Sequence, residues 1–361
     1  MDTELRSTDL GSWADADFAR TVNEDAGIGA DAGLPDHVRF ISGIVKLIRR
    51  HLALSKMDGL SPKPAIFLLE PSVPTGKLDV ASTRVPMLDN GLTAVTGRLW
   101  FVSPVVVSGR YVEIDANDDD QVFSVVTDNL QLGHVQAIVF DPRTVPPEVR
   151  FYANGLGQPE YYQPVTVANP DVSLSRIFEA IDLIYKSCLI TPEAQTRSGK
   201  LWEKEQQYWA AQNAEDVVQT NLKAGLVAAF PSCTVRHEQT SVPGRLDLEI
   251  EESDPVDRGH IIRHAVLELK VLRSYGSTGK SVSETKTLEW VQSGVQQAAA
   301  YRNERNASAS ALCCFDMRKE ASGETCFDHV REMATDLKVE MKIWYIYATS
   351  HQYRSATTAG P

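Results

Sequence analysis

Glu268 and Lys270 interrupt the run His264-Ala265-Val266-Leu267-Glu268-Leu269-Lys270, which is otherwise apolar enough for a buried strand. An unpaired buried charge is costly, so this segment can fold only where both charges are received. Residues two apart on a strand share a face, which sets Glu268 beside Lys270. Upstream, Gly244-Arg245-Leu246-Asp247-Leu248-Glu249 alternates polar with apolar residues and reads as a half-buried strand. Asp247 and Glu249 share a face of that strand, Glu249 reading as a solvated position or an outer support. If the two strands pair, Asp247, Glu268 and Lys270 converge in one polar notch.

Such a notch suits phosphodiester hydrolysis. Two carboxylates supply hard oxygen ligands for Mg²⁺. The metal makes hydroxide available near neutral pH and offsets charge as the phosphorane forms. A lysine beside it can orient or deprotonate water, or stabilise the transition state.

The flanking elements add to the pattern. A long helix is expected over roughly Leu201 to Phe230. Strands follow at Thr234–Glu238, Arg245–Glu251 and Ile261–Leu272, then a helix from about Ser283 to Asn303. A strand at Ala311–Phe315, a helix near Phe327–Leu337 and a strand at Met341–Tyr347 complete the order. On the helix after the lysine strand, Gln297-Ala298-Ala299-Ala300-Tyr301 sets Gln297 and Tyr301 on one face, and its alanines permit close backbone packing.

Together these features resemble the PD-(D/E)xK nuclease superfamily, in its RecB-like branch with a Gln-x-x-x-Tyr motif, over about residues 200–350. The resemblance implies a restriction-endonuclease-like α/β domain with an α-β-β-β-α-β core and a mixed sheet. It implies Asp247 and Glu268 as metal ligands, Lys270 as the catalytic lysine, and Gln297 and Tyr301 as substrate-binding or supporting residues. The branch also carries a glutamate on the helix before the first strand. Glu215 is the choice here, as a third metal ligand or support, because Leu222 and Leu226 follow it on a packing face; Glu203 and Glu205 are its rivals. Leu246 stands where the superfamily's name has proline, although Gly-Arg-x-Asp is similar to many RecB-like members. The implied cofactor is Mg²⁺, with Mn²⁺ able to substitute. The cysteine cluster of iron–sulfur members is absent, so no iron–sulfur cluster is expected.

Residues 35–195 read as a strand-rich α+β domain without a chemical motif. Its opening helix buries Val38, Ile41, Ile44, Val45, Ile48 and Leu52 and carries a cationic face (Lys46, Arg49, Arg50, His51), read as solvated or as a phosphate contact. Strand-like runs include Ala65–Glu70, Arg98–Val107, Tyr111–Ile114, Gln121–Val126 and Val135–Phe140. A helix from Asp171 towards Leu189 closes the domain, with a boundary at 195/196. His260 and His264 flank a turn around Asp254–Gly259 as secondary candidates for substrate contact. The Gly/Ser-rich loop Ser274–Ser283 reads as mobile.

The formal net charge of −12 argues against nucleic acid less than it first suggests. Residues 1–34 hold Asp2, Glu4, Asp9, Asp15, Asp17, Glu24, Asp25 and Asp31 against Arg6 and Arg20, a flexible acidic segment carrying half that charge. The five scattered cysteines read as reduced thiols, and the absence of a basic, apolar leader points to a cytoplasmic protein without a membrane anchor. The expected function is therefore a metal-dependent deoxyribonuclease acting on nucleic acid. The N-terminal domain would sense, recruit a protein partner or form a homodimer. The resemblance to nuclease effectors suggests prokaryotic anti-phage defence. The alternative is a non-catalytic module that keeps a nuclease fold to bind nucleic acid or protein.

Overall fold

A computed structural model describes residues 33–55, 63–70, 72, 82–88, 93–114, 119–167, 172–195, 199–241, 244–257 and 259–358. Apart from its last two positions, the acidic 1–34 segment lies outside the described residues. The chain is a mixed α/β protein built on two large mixed sheets.

Helix α1 (Asp36–Ser55) places Phe40, Ile44, Leu47 and Ile48 at helical spacing against one face of the first sheet. That sheet holds β1 (Ala65–Leu68), β2 (Thr83–Val85), β3 (Arg98–Val102), β4 (Gly109–Glu113), β5 (Ala137–Asp141), β6 (Glu148–Tyr152) and β7 (Gln163–Val165). Their order is β2-β4-β3-β1-β5-β6-β7, with β1 and β3 parallel and the other pairs antiparallel. The sheet's other face is covered by a helix where a strand was expected. Residues Gln121–Val126 lie in α2 (Asp119–Ser124) and a following π turn (Val125–Asn129). The deciding pattern is Val122, Val126 and Leu130, four residues apart and all buried under the sheet. The β-branched composition misread it.

Helix α3 (Leu174–Ile184) runs into a π turn, Tyr185–Leu189. It buries Ile177, Ile181 and Leu189 in the core of the second sheet. By packing, α3 therefore belongs with the second sheet, although it precedes the boundary expected at 195/196.

The expected helix from Leu201 is shorter and begins later. Residues 202–210 instead form a small hairpin, β8 (Trp202–Lys204) and β9 (Trp209–Ala210), turned by Tyr208 at φ 56°. Helix α4 (Ala214–Ala229) follows, then β10 (Thr234–Ser241), β11 (Gly244–Ser253), β12 (Ile261–Arg273), α5 (Glu284–Arg305), β13 (Ala309–Met317), α6 (Arg331–Asp336), β14 (Glu340–Tyr345) and α7 (Ser350–Thr358). The strands lie in the order β10-β11-β12-β13-β14, antiparallel from β10 to β12 and parallel from β12 to β14. Helices α3 and α4 pack on the face carrying Leu248, Ile250, Leu267 and Leu269. Helix α5 packs on the other, against Leu272, Leu312 and Cys314.

The cationic face of α1 is held by partners in the second sheet's domain, and Lys46, Arg49 and Arg50 line a cavity of about 250 Å³ there. Arg49 pairs with Glu252 at 2.6 Å, both side chains 8% exposed. Lys46 Nζ donates to Thr234 Oγ1 at 3.0 Å, and Arg50 donates to the Pro255 carbonyl at 2.9 Å. These groups form the seam between the two sheets' domains. Among the described residues, no helix is long and apolar enough to cross a membrane.

Candidate active site

The site exists because two strands part. β11 and β12 pair from Ser253↔Ile261 to Leu248↔Leu267, and no further pairs continue that register. Beyond it, the amides of Leu269 and Val271 on β12 require other acceptors. The Asp247 carboxylate accepts from the Leu269 amide at 2.8 Å, and the Glu215 carboxylate accepts from the Val271 amide at 3.3 Å. Acidic side chains thus replace the strand that has turned away. Glu215 owes its position to the first turn of α4. Its rival Glu203 lines a separate cavity with Pro192, Gln195 and Glu205.

Glu268 and Lys270 lie on the face of β12 that meets α5, and Lys270 Nζ pairs with Glu268 Oε1. The helix approaches closely because Gly294 has no side chain. A Cβ there would stand 2.6 Å from Leu312 Cδ1 and 3.4 Å from Lys270 Cγ. Tyr301, fully buried, donates from its hydroxyl to the Arg245 carbonyl at 2.9 Å, bracing the start of β11 two residues before Asp247. Gln297 lies one turn earlier and is half-buried.

The electrostatics are those of crowded acids. Burial pushes the Asp247 carboxyl up to about 6, Glu215 adding to the shift while the Leu269 amide and Lys270 oppose it. Burial and then the Asp247 charge push Glu268 up to about 8, against the pull of Lys270. Burial alone would lower the lysine, but Glu268, Asp247 and Glu215 outweigh it, and Lys270 is held charged. Burial and the same two acids raise the Tyr301 hydroxyl to about 12.

Glu268 Oε2 is buried without a hydrogen-bond partner among the described residues. Buried Asp247 and Glu268, with the orphaned Glu268 oxygen, offer the oxygen ligands a hard divalent cation takes. Exposed Glu215 stands at the mouth of the cluster, although the three carboxylates do not come within 4.8 Å of one another.

Some participants were not foreseen. Gln219, 5% exposed, donates to the Asp247 carbonyl at 2.7 Å and holds the residue from behind. Its signal was available, since Glu215, Gln219 and Lys223 recur every fourth residue in a helix that otherwise buries Val218, Leu222 and Leu226. Glu249 is fully buried, not solvated, and is gripped by Arg305 at 3.0 and 3.1 Å and by Arg263 at 3.2 Å. The loop after β12 is fastened as well as closed. Tyr275 bridges both Ser281 and Trp209, and a Cβ at Gly279 would stand 2.2 Å from the Trp209 indole. His260 is exposed beside Asp254, and His264 faces Glu252 well before Lys270 along β12.

Comparison of the chain with protein-family models, with curated proteins and with solved structures finds no match.

Proposed function

We propose that the five-stranded half of this protein is a metal-dependent nuclease of PD-(D/E)xK type, with a restriction-endonuclease-like fold, that hydrolyses phosphodiester bonds in DNA. One observation carries the reading. At the point where β11 leaves β12, Glu215, Asp247 and Glu268 gather around Lys270, leaving Glu268 Oε2 buried and unpartnered.

Glu215, Asp247 and Glu268 would hold the cation, Mg²⁺ with Mn²⁺ as a substitute. Bound there, it would make hydroxide available at neutral pH and offset charge on the phosphate. The Leu269 amide and Gln219 fix the aim of the Asp247 carboxylate, the second through the main chain. Lys270, held charged by its neighbours, acts as a fixed ammonium that orients water or stabilises the pentacoordinate phosphate; the same charge disfavours it as a proton acceptor. Tyr301 braces β11, and Gln297, one turn away, is placed to meet substrate or support the site.

The test is cleavage of linear duplex, plasmid, single-stranded DNA and RNA with Mg²⁺, Mn²⁺ or EDTA, beside Lys270→Ala and Asp247→Asn. Metal-dependent cleavage lost in both variants is the expected result. No cleavage together with no metal-induced stabilisation overturns it and leaves a binding module on a nuclease fold.

A further inference from the structure

The register of β11 and β12 shifts once. Ile250 pairs with Ala265 while Glu251 pairs with Arg263, so His264 is an extra residue on β12. A bulge of this kind re-aims a side chain away from the alternation of its strand. Here it brings the His264 imidazole to 3.3 Å from Glu252 Oε2. Cys233, fully buried, stands just before β10, one step beyond the pairing of Thr234 with Glu251, and is therefore opposite Glu252. One potential ligand atom from each of Cys233, Glu252 and His264 lies within 4.8 Å of the others.

We propose that Cys233, Glu252 and His264 form a second metal site, for a borderline ion such as Zn²⁺, at the seam between the two domains. The donor set of sulfur, imidazole nitrogen and one carboxylate oxygen suits Zn²⁺ and not Mg²⁺, which takes oxygen ligands. Tetrahedral zinc separates neighbouring donors by roughly 3.3–3.6 Å. The His264–Glu252 distance already falls there, and the thiol closes the remainder by side-chain rotation. Binding releases the thiol proton to solvent, requires the His264 tautomer with its proton on Nδ1 so that Nε2 is free to ligate, and replaces the His264–Glu252 hydrogen bond with two metal bonds. The other Glu252 oxygen stays on Arg49, which orients the ligand from outside the coordination sphere. The fourth position is left to water.

This site is independent of the reading at Asp247. The test is titration of the reduced full-length protein with Co²⁺ and Zn²⁺, following the thiolate-to-cobalt charge-transfer absorption and the displacement of Co²⁺ by Zn²⁺. One equivalent should produce the band in the wild type and in Asp247→Asn. The band should vanish in Cys233→Ser, and His264→Gln should weaken binding by at least about tenfold. No thiolate band in the wild type, or an unchanged band in Cys233→Ser, overturns the proposal. If Cys233→Ser does not fold, unchanged affinity in both His264→Gln and Glu252→Gln overturns it equally.

Discussion

The Asp247 carboxylate accepts a hydrogen bond from the Leu269 amide at 2.8 Å, in the place where the β11–β12 ladder would have supplied a carbonyl. The residue proposed as a metal ligand therefore also completes a sheet.

Asp247→Asn separates these two duties. Its side-chain oxygen still accepts from Leu269, while the buried negative charge is removed. In metal-free buffer at pH 8 the variant should be more stable than the wild type, by on the order of 2 kcal/mol, because Asp247 is buried and its pKa is raised to about 6. It should also lose metal-dependent cleavage. Urea denaturation beside a nuclease assay checks both, and a destabilised Asn variant would contradict the prediction.

Stability should fall with pH across the neutral range. Asp247 and Glu268 hold protons more tightly folded than unfolded, with pKa values of about 6 and about 8. The stability this confers is complete below about pH 4 and is lost as pH rises through those values. Lys270 is also raised, but from an already high value, and does not move this window. Added Mg²⁺ or Mn²⁺ relieves the repulsion, so the metal-induced rise in Tm should be larger at pH 8 than at pH 5.5. Glu268→Gln should flatten both trends in a thermal-shift series.

Gln219→Leu leaves the volume of α4's buried face nearly unchanged but strips the Asp247 carbonyl of its donor. An unsatisfied buried acceptor costs about 1–3 kcal/mol. Activity should fall with intact metal ligands, seen as a lower kcat at saturating metal. Full activity with unaltered Tm would show that the Asp247 main chain needs no such anchor.

The fully buried Glu249 answers two arginines, so Glu249→Ala removes the carboxylate that Arg263 and Arg305 share, leaving Arg263 with Glu251 at 3.9 Å. The expected cost is on the order of 3 kcal/mol, reduced from deeper cases because both guanidinium groups keep some solvent. Metal affinity, measured below the lowered Tm, should stay near the wild-type value, since Glu249 belongs to the sheet's far support and not to the acid cluster.

What the sequence disclosed depended on how locally each feature is encoded. Alternation in Gly244–Glu249 and His264–Lys270 is a two-residue rhythm, and the folded strands place Asp247, Glu268 and Lys270 together as that rhythm requires. Glu215 was readable because a four-residue packing stripe runs behind it. Features that depend on distant partners were not readable. Whether Glu249 is solvated depends on Arg305, a residue 56 positions away. The seam face of α1 depends on Glu252 and Pro255, more than 200 positions away. The hairpin at 202–210 needs the loop at Tyr275 and Gly279 to dock on Trp209, and without it the polar run reads as helix.

The two β12 amides answered by acidic side chains also govern how this protein can decay. A duplicated copy freed from selection for chemistry would not lose Asp247 and Glu215 silently. Their loss would leave the Leu269 and Val271 amides bare in the middle of a strand, a raw edge of the kind that recruits strands from other molecules. Fading activity and a tendency to aggregate would then share one cause, and purifying selection against the second would preserve the acids after the first had ceased to matter.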